Sequence, residues 1–280
     1  MSRVLVTAAS GSVGAGCVEA LLRNGFDVVG TSREPSKLRH TDNVEARTYD
    51  ADAETDFDAL FEGIDDVVLI GPPLDGRINL KLAPLVDAAA RKGIGHLVFV
   101  SGSYLSGMTG QTLERLPLRQ LEVHIANSGI KHTIVRAGFL MDNYLTGFYS
   151  PMVEQGTLTL ATGHGKSALI AGADLGAFVA EALSQGLAGE YLVTGPEALD
   201  HFEIAELLSQ KLSRPIIYEP VALDELAAVY TERGLPDETI TYILTLYESF
   251  ANYATAAVTD GLKQATGRDP ISFRNYLESK

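Results

Sequence analysis

Hydrophobic positions in the first half of the chain follow two alternating rhythms. Short runs rich in β-branched residues predict strands at Arg3–Thr7, Asp27–Thr31, Val44–Tyr49, Asp66–Gly71, His96–Ser101 and His132–Ala137. Between them, apolar residues three and four apart predict helices near Val13–Asn24, Phe57–Glu62, Leu80–Lys92 and Thr112–Ser128, with Leu82, Leu85, Val86 and Ala89 showing the spacing well. Strand and helix in steady alternation predict an α/β fold, a parallel sheet with helices on both faces. The uncharged run Val67-Val68-Leu69-Ile70 suits a central strand buried on both sides. After Ala137 the rhythm changes. Gly138–Phe148 is aromatic and irregular, and Thr157–Lys166 holds a Gly-His-Gly turn. Asp174 is placed to cap a helix through Gln185, and Glu190–Thr194 predicts one more strand. From Gly195 onward the chain reads as mostly helical, with turns at Gly195-Pro196, Gly234-Leu235-Pro236 and Gly267–Pro270. The expected division is a core over residues 1–155, then a remaining core strand and a smaller, mostly helical C-terminal lobe over 156–280, with no linker between them.

Composition narrows the class. A chain of 280 residues is long enough for one large α/β domain with an appended lobe. With 46% hydrophobic and 21% charged residues it has the mix of a soluble globular enzyme, which excludes disorder as its main character. Its 22 basic and 36 acidic residues leave a net charge of −14, a field that repels polyanions, so no nucleic-acid partner is expected. One cysteine, Cys17, excludes a disulfide framework or a Cys-rich zinc site. The opening MSRVLVTAASG has one basic residue and no long apolar stretch, so no leader is expected. No run of about 18 apolar residues predicts a membrane helix. A small-molecule partner and a cytoplasmic home are the expectation, as a monomer or a homodimer.

The strongest local signal is Val4-Leu5-Val6-Thr7-Ala8-Ala9-Ser10-Gly11-Ser12-Val13-Gly14, an apolar strand running through small residues straight into a helix. Gly11 permits close backbone approach to a pyrophosphate, and Gly14 lets the helix pack tightly on the strand. The helix N-terminus offers free N–H groups to the anion. Thr7, Ser10, Gly11, Ser12, Val13 and Gly14 are therefore candidate dinucleotide contacts in a Rossmann-like, doubly wound sheet. An NAD site usually ends its second strand on Asp or Glu, which holds the ribose 2′-hydroxyl. Here the strand ends Gly30-Thr31-Ser32-Arg33, with Glu34 only after it and Lys37 and Arg39 close behind. A guanidinium pairs with a 2′-phosphate, so Ser32, Arg33 and Lys37 predict NADP(H) over NAD(H).

These residues carry a family resemblance. The chain resembles the NmrA-like atypical short-chain dehydrogenase/reductases, and within them the festuclavine/agroclavine dehydrogenase type and bacterial NAD(P)H-dependent oxidoreductases. The match runs through Thr7–Gly14, Leu69-Ile70-Gly71-Pro72-Pro73, Asn127-Ser128-Gly129-Ile130 and Ile134-Val135-Arg136. It continues in Phe139–Asn143, Ala161–Lys166, Tyr191–Glu197, Thr266–Pro270 and Phe273. The usual loop of this family begins Thr-Gly; Ala8 replaces that glycine, and its methyl is tolerable only at negative φ. The resemblance implies that Asp50 and Ala51 flank the adenine and that Gly71, Pro72 and Pro73 line the dinucleotide groove. It also implies that Ser101, Gly102 and Ser103, with Ala137, Gly138 and Phe139, end the fifth and sixth strands beside the nicotinamide.

Typical short-chain reductases place a Tyr-x-x-x-Lys pair on the helix after the fifth strand, the lysine lowering the tyrosine pKa. In the register of the family, anchored on Glu122 and Ser128-Gly129, the tyrosine slot falls near Glu114 and the lysine slot near Leu118. The only literal match, Tyr276-Leu277-Glu278-Ser279-Lys280, lies at the end of the sequence and reads as chance. A proton, if one is needed, then comes from Tyr104, Ser101, Ser103 or water, and a substrate that needs little acid help, an iminium or a quinone, suits such a site. On the substrate side, Met141, Tyr144, Leu145, Phe148, Tyr149 and Met152 recur at helical spacing and predict a pocket for a flat, apolar or aromatic molecule; the same stripe also reads as core. His164, in its glycine turn, falls near the substrate loop of the family. No cluster among the 6 histidines has metal spacing, so no metal is expected. Cys17, four residues from Val13 and Leu21, reads as a small core residue. The leading expectation is an NADPH-dependent reductase of an imine or iminium, quinone or enone. An NADP(H)-sensing regulator without turnover, and an isomerase or cyclase on the same fold, stay open.

Overall fold

The computed structural model describes residues 2–38 and 43–280. From β1 (Arg3–Val6) the chain enters α1 (Ser12–Arg23), β2 (Asp27–Ser32), β3 (Val44–Thr48), the single turn α2 (Phe57–Leu60), β4 (Asp66–Ile70), α3 (Ile78–Lys92) and β5 (His96–Gly102). A 3-10 turn over Ser103–Gly107 leads to α4 (Gly110–Arg115), α5 (Pro117–Asn127) and β6 (Lys131–Ala137). Then follow β7 (Phe139–Leu140), a second 3-10 turn over Met141–Tyr144, α6 (Ser150–Gln155), β8 (Thr157–Leu160), β9 (Ser167–Ile170), α7 (Gly172–Gln185) and β10 (Gly189–Val193). The remaining elements are β11 (Ala198–Leu199), α8 (His201–Leu212), β12 (Ile217–Pro220), α9 (Leu223–Glu232), α10 (Asp237–Ala251), α11 (Gly261–Thr266) and α12 (Phe273–Glu278).

Seven parallel strands form the main sheet in the order β10-β6-β5-β4-β1-β2-β3. The chain runs outward from β1 to β3 and then returns past β1 to β4. That reversal opens a crevice beyond the C-terminal strand ends, the place where such sheets bind ligands. Leu5, Val67, Leu69, Leu97 and Phe99 face α3 and α5, while Val4, Val6, Val68, Val98 and Val135 face α1 and α7. Covered on both faces, the central strands β1 and β4 have no polar side to show, and their apolar runs follow from that, whereas the edge strand β3 carries exposed Glu45 and Thr48. Helices α1 and α7 cross in near backbone contact. A Cβ on Gly16 would lie 2.4 Å from the Gly172 carbonyl oxygen, and one on Gly176 would lie 2.2 Å from that of Gly16. A third core, with Tyr144, Leu158, Leu160, Ile204, Leu208, Tyr247 and Phe273, fills the space between β7, β8, β9 and the C-terminal helices. Two small sheets, β11-β9-β7 and β12-β8, brace it. Among the described residues no helix is long and apolar enough to cross a membrane.

Two expectations change. The helix expected over Thr112–Ser128 is two helices, because Pro117 drives Leu116 into an extended conformation (ψ 133°) and restarts the helix at its own first position. Asp174 does not cap α7. Its backbone is already inside the first turn; Ala171 is the cap residue, and the Gly172 N–H is met by Asp142 Oδ2 at 2.8 Å. Asp174 instead accepts from the Ile271 N–H at 2.7 Å, and burial pushes its carboxyl above the usual range.

Candidate dinucleotide crevice and aromatic cavity

The loop after β1 is built by its neighbours. Thr7 Oγ1 donates to the Ile70 carbonyl and accepts the Ile70 N–H, both at 2.7 Å, so this hydroxyl ties β1 to β4 and is not left for a ligand. Ala8 sits at φ +49°, the left-handed region where the family glycine is at home, and the negative φ that its methyl would prefer is not adopted. Gly14 is required by the protein itself: a Cβ there would stand 2.2 Å from the Ala8 carbonyl oxygen. Gly11 is different. An added Cβ would meet only that oxygen, at 3.4 Å, so its bareness keeps room on the outer side. Gly11 also caps α1 without a side chain, no acidic residue stands in the first turn, and Ser10 and Ser12 are exposed beside it. An uncapped helix start with open space before it fits a pyrophosphate.

At the end of β2, Ser32 Oγ lies 3.2 Å from Ser10 Oγ and accepts the Glu34 N–H. Glu34 is paired with Lys37 at 2.9 Å, both side chains exposed. Arg33 is exposed and makes no ion pair among the described residues. Arg39 lies outside the described residues. Asp50 accepts the Asp52 N–H at 3.0 Å and, with Ala51, borders a surface cleft of about 470 Å³ closed by Arg77 and Lys81. Lys81 above all, and more distantly Arg77 and Arg33, hold the Asp52 carboxyl below its usual range. Gly71 and Pro72 are half-buried at the end of β4, and Pro73 and Leu74 continue into a second, apolar cavity.

That cavity, about 260 Å³, lies beyond the ends of β5 and β6. It brings together Val13 from α1, Ser101 and Gly102 at the end of β5 with Ser103 and Tyr104 after it, and Ala137 at the end of β6 with Gly138 and Phe139 after it. Leu140, Asn143, Phe148 and Tyr149 form one further side, and Leu175 of α7 and Thr255 close the floor. The side opposite comes from α10: Ile243, Leu246, Tyr247, Ser249 and Phe250. No lining residue is Asp, Glu, Lys, Arg or His. Phe139 stacks on Tyr149 at 5.5 Å and meets Phe250 edge to face at 5.2 Å. The wall from α10 was missed in the sequence, although the Ile243, Leu246/Tyr247, Phe250 spacing marks one helix face.

Three residues expected at the substrate lie elsewhere. Met141 and Tyr144 are fully buried behind the wall in the third core. The Tyr144 hydroxyl is spent on His201 Nε2 at 3.0 Å, while His201 Nδ1 bonds Thr162 Oγ1 at 2.9 Å. His164 is exposed and stacks on Phe202 at 4.9 Å, outside the cavity. The glycine turn points it at the nearest surface aromatic. Tyr276 is also buried core, packed on Phe273 away from the cavity. Cys17 is buried between α1 and the sheet, which pushes its thiol up to about 12 and leaves it unreactive.

Behind β5 lies a network that the sequence did not reveal. Ser101 Oγ donates to Glu122 Oε1 at 2.8 Å; the carboxylate is 1% exposed and takes both Nε and a terminal nitrogen of Arg136, at 3.0 and 2.7 Å. Arg119 adds a fourth donor at 3.2 Å. Leu118, in the expected lysine slot, approaches Gly102, and Glu114 is exposed and pairs with Arg119. Neither can act as the acid pair of a typical short-chain reductase.

The family model described as NAD(P)H-binding matches residues 8–186. Agroclavine dehydrogenase of Claviceps fusiformis is 27% identical, over 98% of this chain and 96% of that protein. The NAD(P)H azoreductase of Xenophilus azovorans is 26% identical, over 99% and 97%. Among solved structures, the Escherichia coli quinone oxidoreductase QOR2 in complex with NADPH superimposes with a TM-score of 0.81 at 20% identity, covering 99% of each chain.

Proposed function

The chain belongs to the NAD(P)H-binding family, and from that premise we propose that it is an NADPH-dependent reductase of small, flat, aromatic electrophiles: iminium or imine, quinone or enone. The observation that carries this reading is the aromatic cavity without ionic groups, joined at Val13 and Gly138 to the crevice that fits a dinucleotide. Bound NAD(P)H supplies a hydride. Gly11, Ser12 and the free N–H groups of α1 hold the pyrophosphate, and Arg33 takes a 2′-phosphate. Phe139, Tyr149 and Phe250 hold a planar ring and exclude water from its face. Walls without charge disfavour anionic substrates, whose desolvation they cannot repay. A delocalised cation gains from the ring faces and becomes neutral on reduction. The relatives named as an azoreductase, a quinone oxidoreductase and clavine dehydrogenases support this substrate class.

The decisive experiment mixes the purified protein with NADPH and a panel of quinones, imines, iminium ions and enones, following loss of reduced-nicotinamide absorbance. Turnover of at least one planar aromatic acceptor is expected. Tight NADPH binding with no turnover across the panel would favour the second reading, an NADP(H) sensor, which the absent Tyr-x-x-x-Lys pair supports.

A further inference from the structure

Helix α10 brings more to the cavity than an apolar wall. Tyr242, one residue before Ile243, is buried behind the lining with its hydroxyl 3.1 Å from that of Tyr104. The two rings meet edge to face at 6.5 Å. The Tyr104 ring lies over Gly102, where a Cβ would come within 2.6 Å of Cε1. Where a typical reductase of this fold offers its tyrosine a lysine, this one offers Leu118 below and a second tyrosine at the hydroxyl. Burial pushes both hydroxyls above the usual tyrosine range, so both stay protonated at neutral pH. Glu122 is the charged group that bears on Tyr104, and Asp75 the one that bears on Tyr242. Two hydroxyls sharing one hydrogen bond leave one proton over. When Tyr242 donates, the proton left over belongs to Tyr104, which lines the cavity.

We propose that Tyr242 is a positioning residue for proton delivery: it donates to Tyr104 Oη, so that Tyr104 offers its own proton to the heteroatom of a neutral acceptor. The proposal rests on the reductase reading above. For an imine, the carbon receives the hydride of NADPH and forms a C–H bond while the C=N π pair moves to nitrogen. That nitrogen takes the Tyr104 proton, Tyr104 regains one from Tyr242, and water restores Tyr242. An N-alkylated iminium ion takes the same hydride and becomes a neutral amine with no proton needed, so the dyad has nothing to do for it.

A neutral indolenine and its N-methyl indolium cation, assayed at mildly alkaline pH, form a matched pair for the test. Tyr242→Phe is expected to lower kcat for the indolenine roughly tenfold to a hundredfold. Its KM, the NADPH affinity read by fluorescence titration, and turnover of the indolium cation should each change by less than about twofold. Equal losses on both acceptors, or an unchanged indolenine kcat, would overturn the proposal, as would a parent protein that reduces only the cation. If the parent reduces only the indolenine, the solvent-deuterium proton inventory decides. A bowed curve in the parent and a straight one in Tyr242→Phe support the relay, and identical curves overturn it. If Tyr242→Phe does not fold, Tyr242→Met takes its place in the same comparison, and an equal loss on both acceptors overturns the proposal. No turnover of either acceptor by the parent, nor of any other in the panel, fails the reductase reading itself and is distinguishable from all of these.

Discussion

Arg33 follows β2, exposed and without an ion pair among the described residues, while the neighbouring Glu34 and Lys37 pair with each other. A charge-assisted contact from this guanidinium to a 2′-phosphate contributes about 1.5–3 kcal/mol, so NADPH should bind roughly tenfold or more tighter than NADH. Arg33→Ala should erase most of that difference, measured as paired Kd values by fluorescence titration; equal affinities in the parent protein would refute the assignment. Two aromatic residues four apart in the sequence have opposite fates. Phe148 is 46% exposed at the cavity mouth, whereas Tyr144 is fully buried. Phe148→Ala should therefore raise substrate KM with little change in Tm or NADPH affinity. Tyr144→Ala should cost about 3–5 kcal/mol of stability, as lost burial of a large ring, with kinetics in the folded fraction preserved. Denaturant unfolding beside steady-state kinetics separates the two, and a stability loss confined to Phe148→Ala would reverse the assignments.

At the scale of elements, α5 meets the sheet through buried Leu121 and Ile125 and through the Glu122 network. Glu122 has no solvent and four donors from Ser101, Arg119 and Arg136. Removing one partner of a buried pair leaves the other uncompensated, so Glu122→Ala should lose about 3–5 kcal/mol. Glu190, which also meets Arg136 at 2.9 Å, offsets part of this. A loss under about 1 kcal/mol in urea unfolding would show that β5, α5 and β6 do not depend on the network. At the other end of the chain, α12 buries Tyr276 and Leu277 in the third core. Deleting residues 276–280 should melt the C-terminal lobe, so truncation cannot report on catalysis. Tyr276→Phe keeps the packing, and unchanged turnover is expected because the ring does not reach the cavity; lost turnover at full stability would make the Tyr-x-x-x-Lys match real.

Across the whole molecule, the sheet carries the dinucleotide crevice and the third core carries the far wall of the cavity, so their joint stability governs function. His201 couples that core to pH. Burial lowers its pKa to about 3, well under the usual value of 6.5, and both ring nitrogens are engaged by Tyr144 and Thr162. The folded state binds the proton less readily than the unfolded one. Stability is then complete above about pH 6.5 and is lost as pH falls towards 3, at up to about 1.4 kcal/mol per pH unit from this group. Tm recorded from pH 7 to about 4 should fall steeply in the parent and less steeply in His201→Asn, measured from its own starting point. Parallel slopes would place the acid sensitivity elsewhere, with buried His96, whose pKa burial also lowers, the next group to change.

The sequence by itself determined the sheet. Strand starts such as Asp27, Asp66 and His96 agree with the structure, because a strand covered on both faces needs an apolar run bounded by polar turns. It also determined the tight turn from β1 into α1, since Gly14 answers a local constraint of one helix start. The helix break at Pro117 is equally local in cause, but the apolar spacing from Thr112 to Ser128 runs across it and predicts one helix. What only the tertiary structure decided is which aromatic side chains meet the ligand. Met141, Tyr144, Phe148 and Tyr149 share one spacing, yet burial behind Phe139 separates the first two from the others. The α10 wall, the contact of Tyr104 with Tyr242 across 138 residues, and the gathering of Ser101, Glu122 and Arg136 follow from how the lobes and strands pack. Periodicity records that a side chain faces inward; it carries no information on which distant surface that side chain will find there.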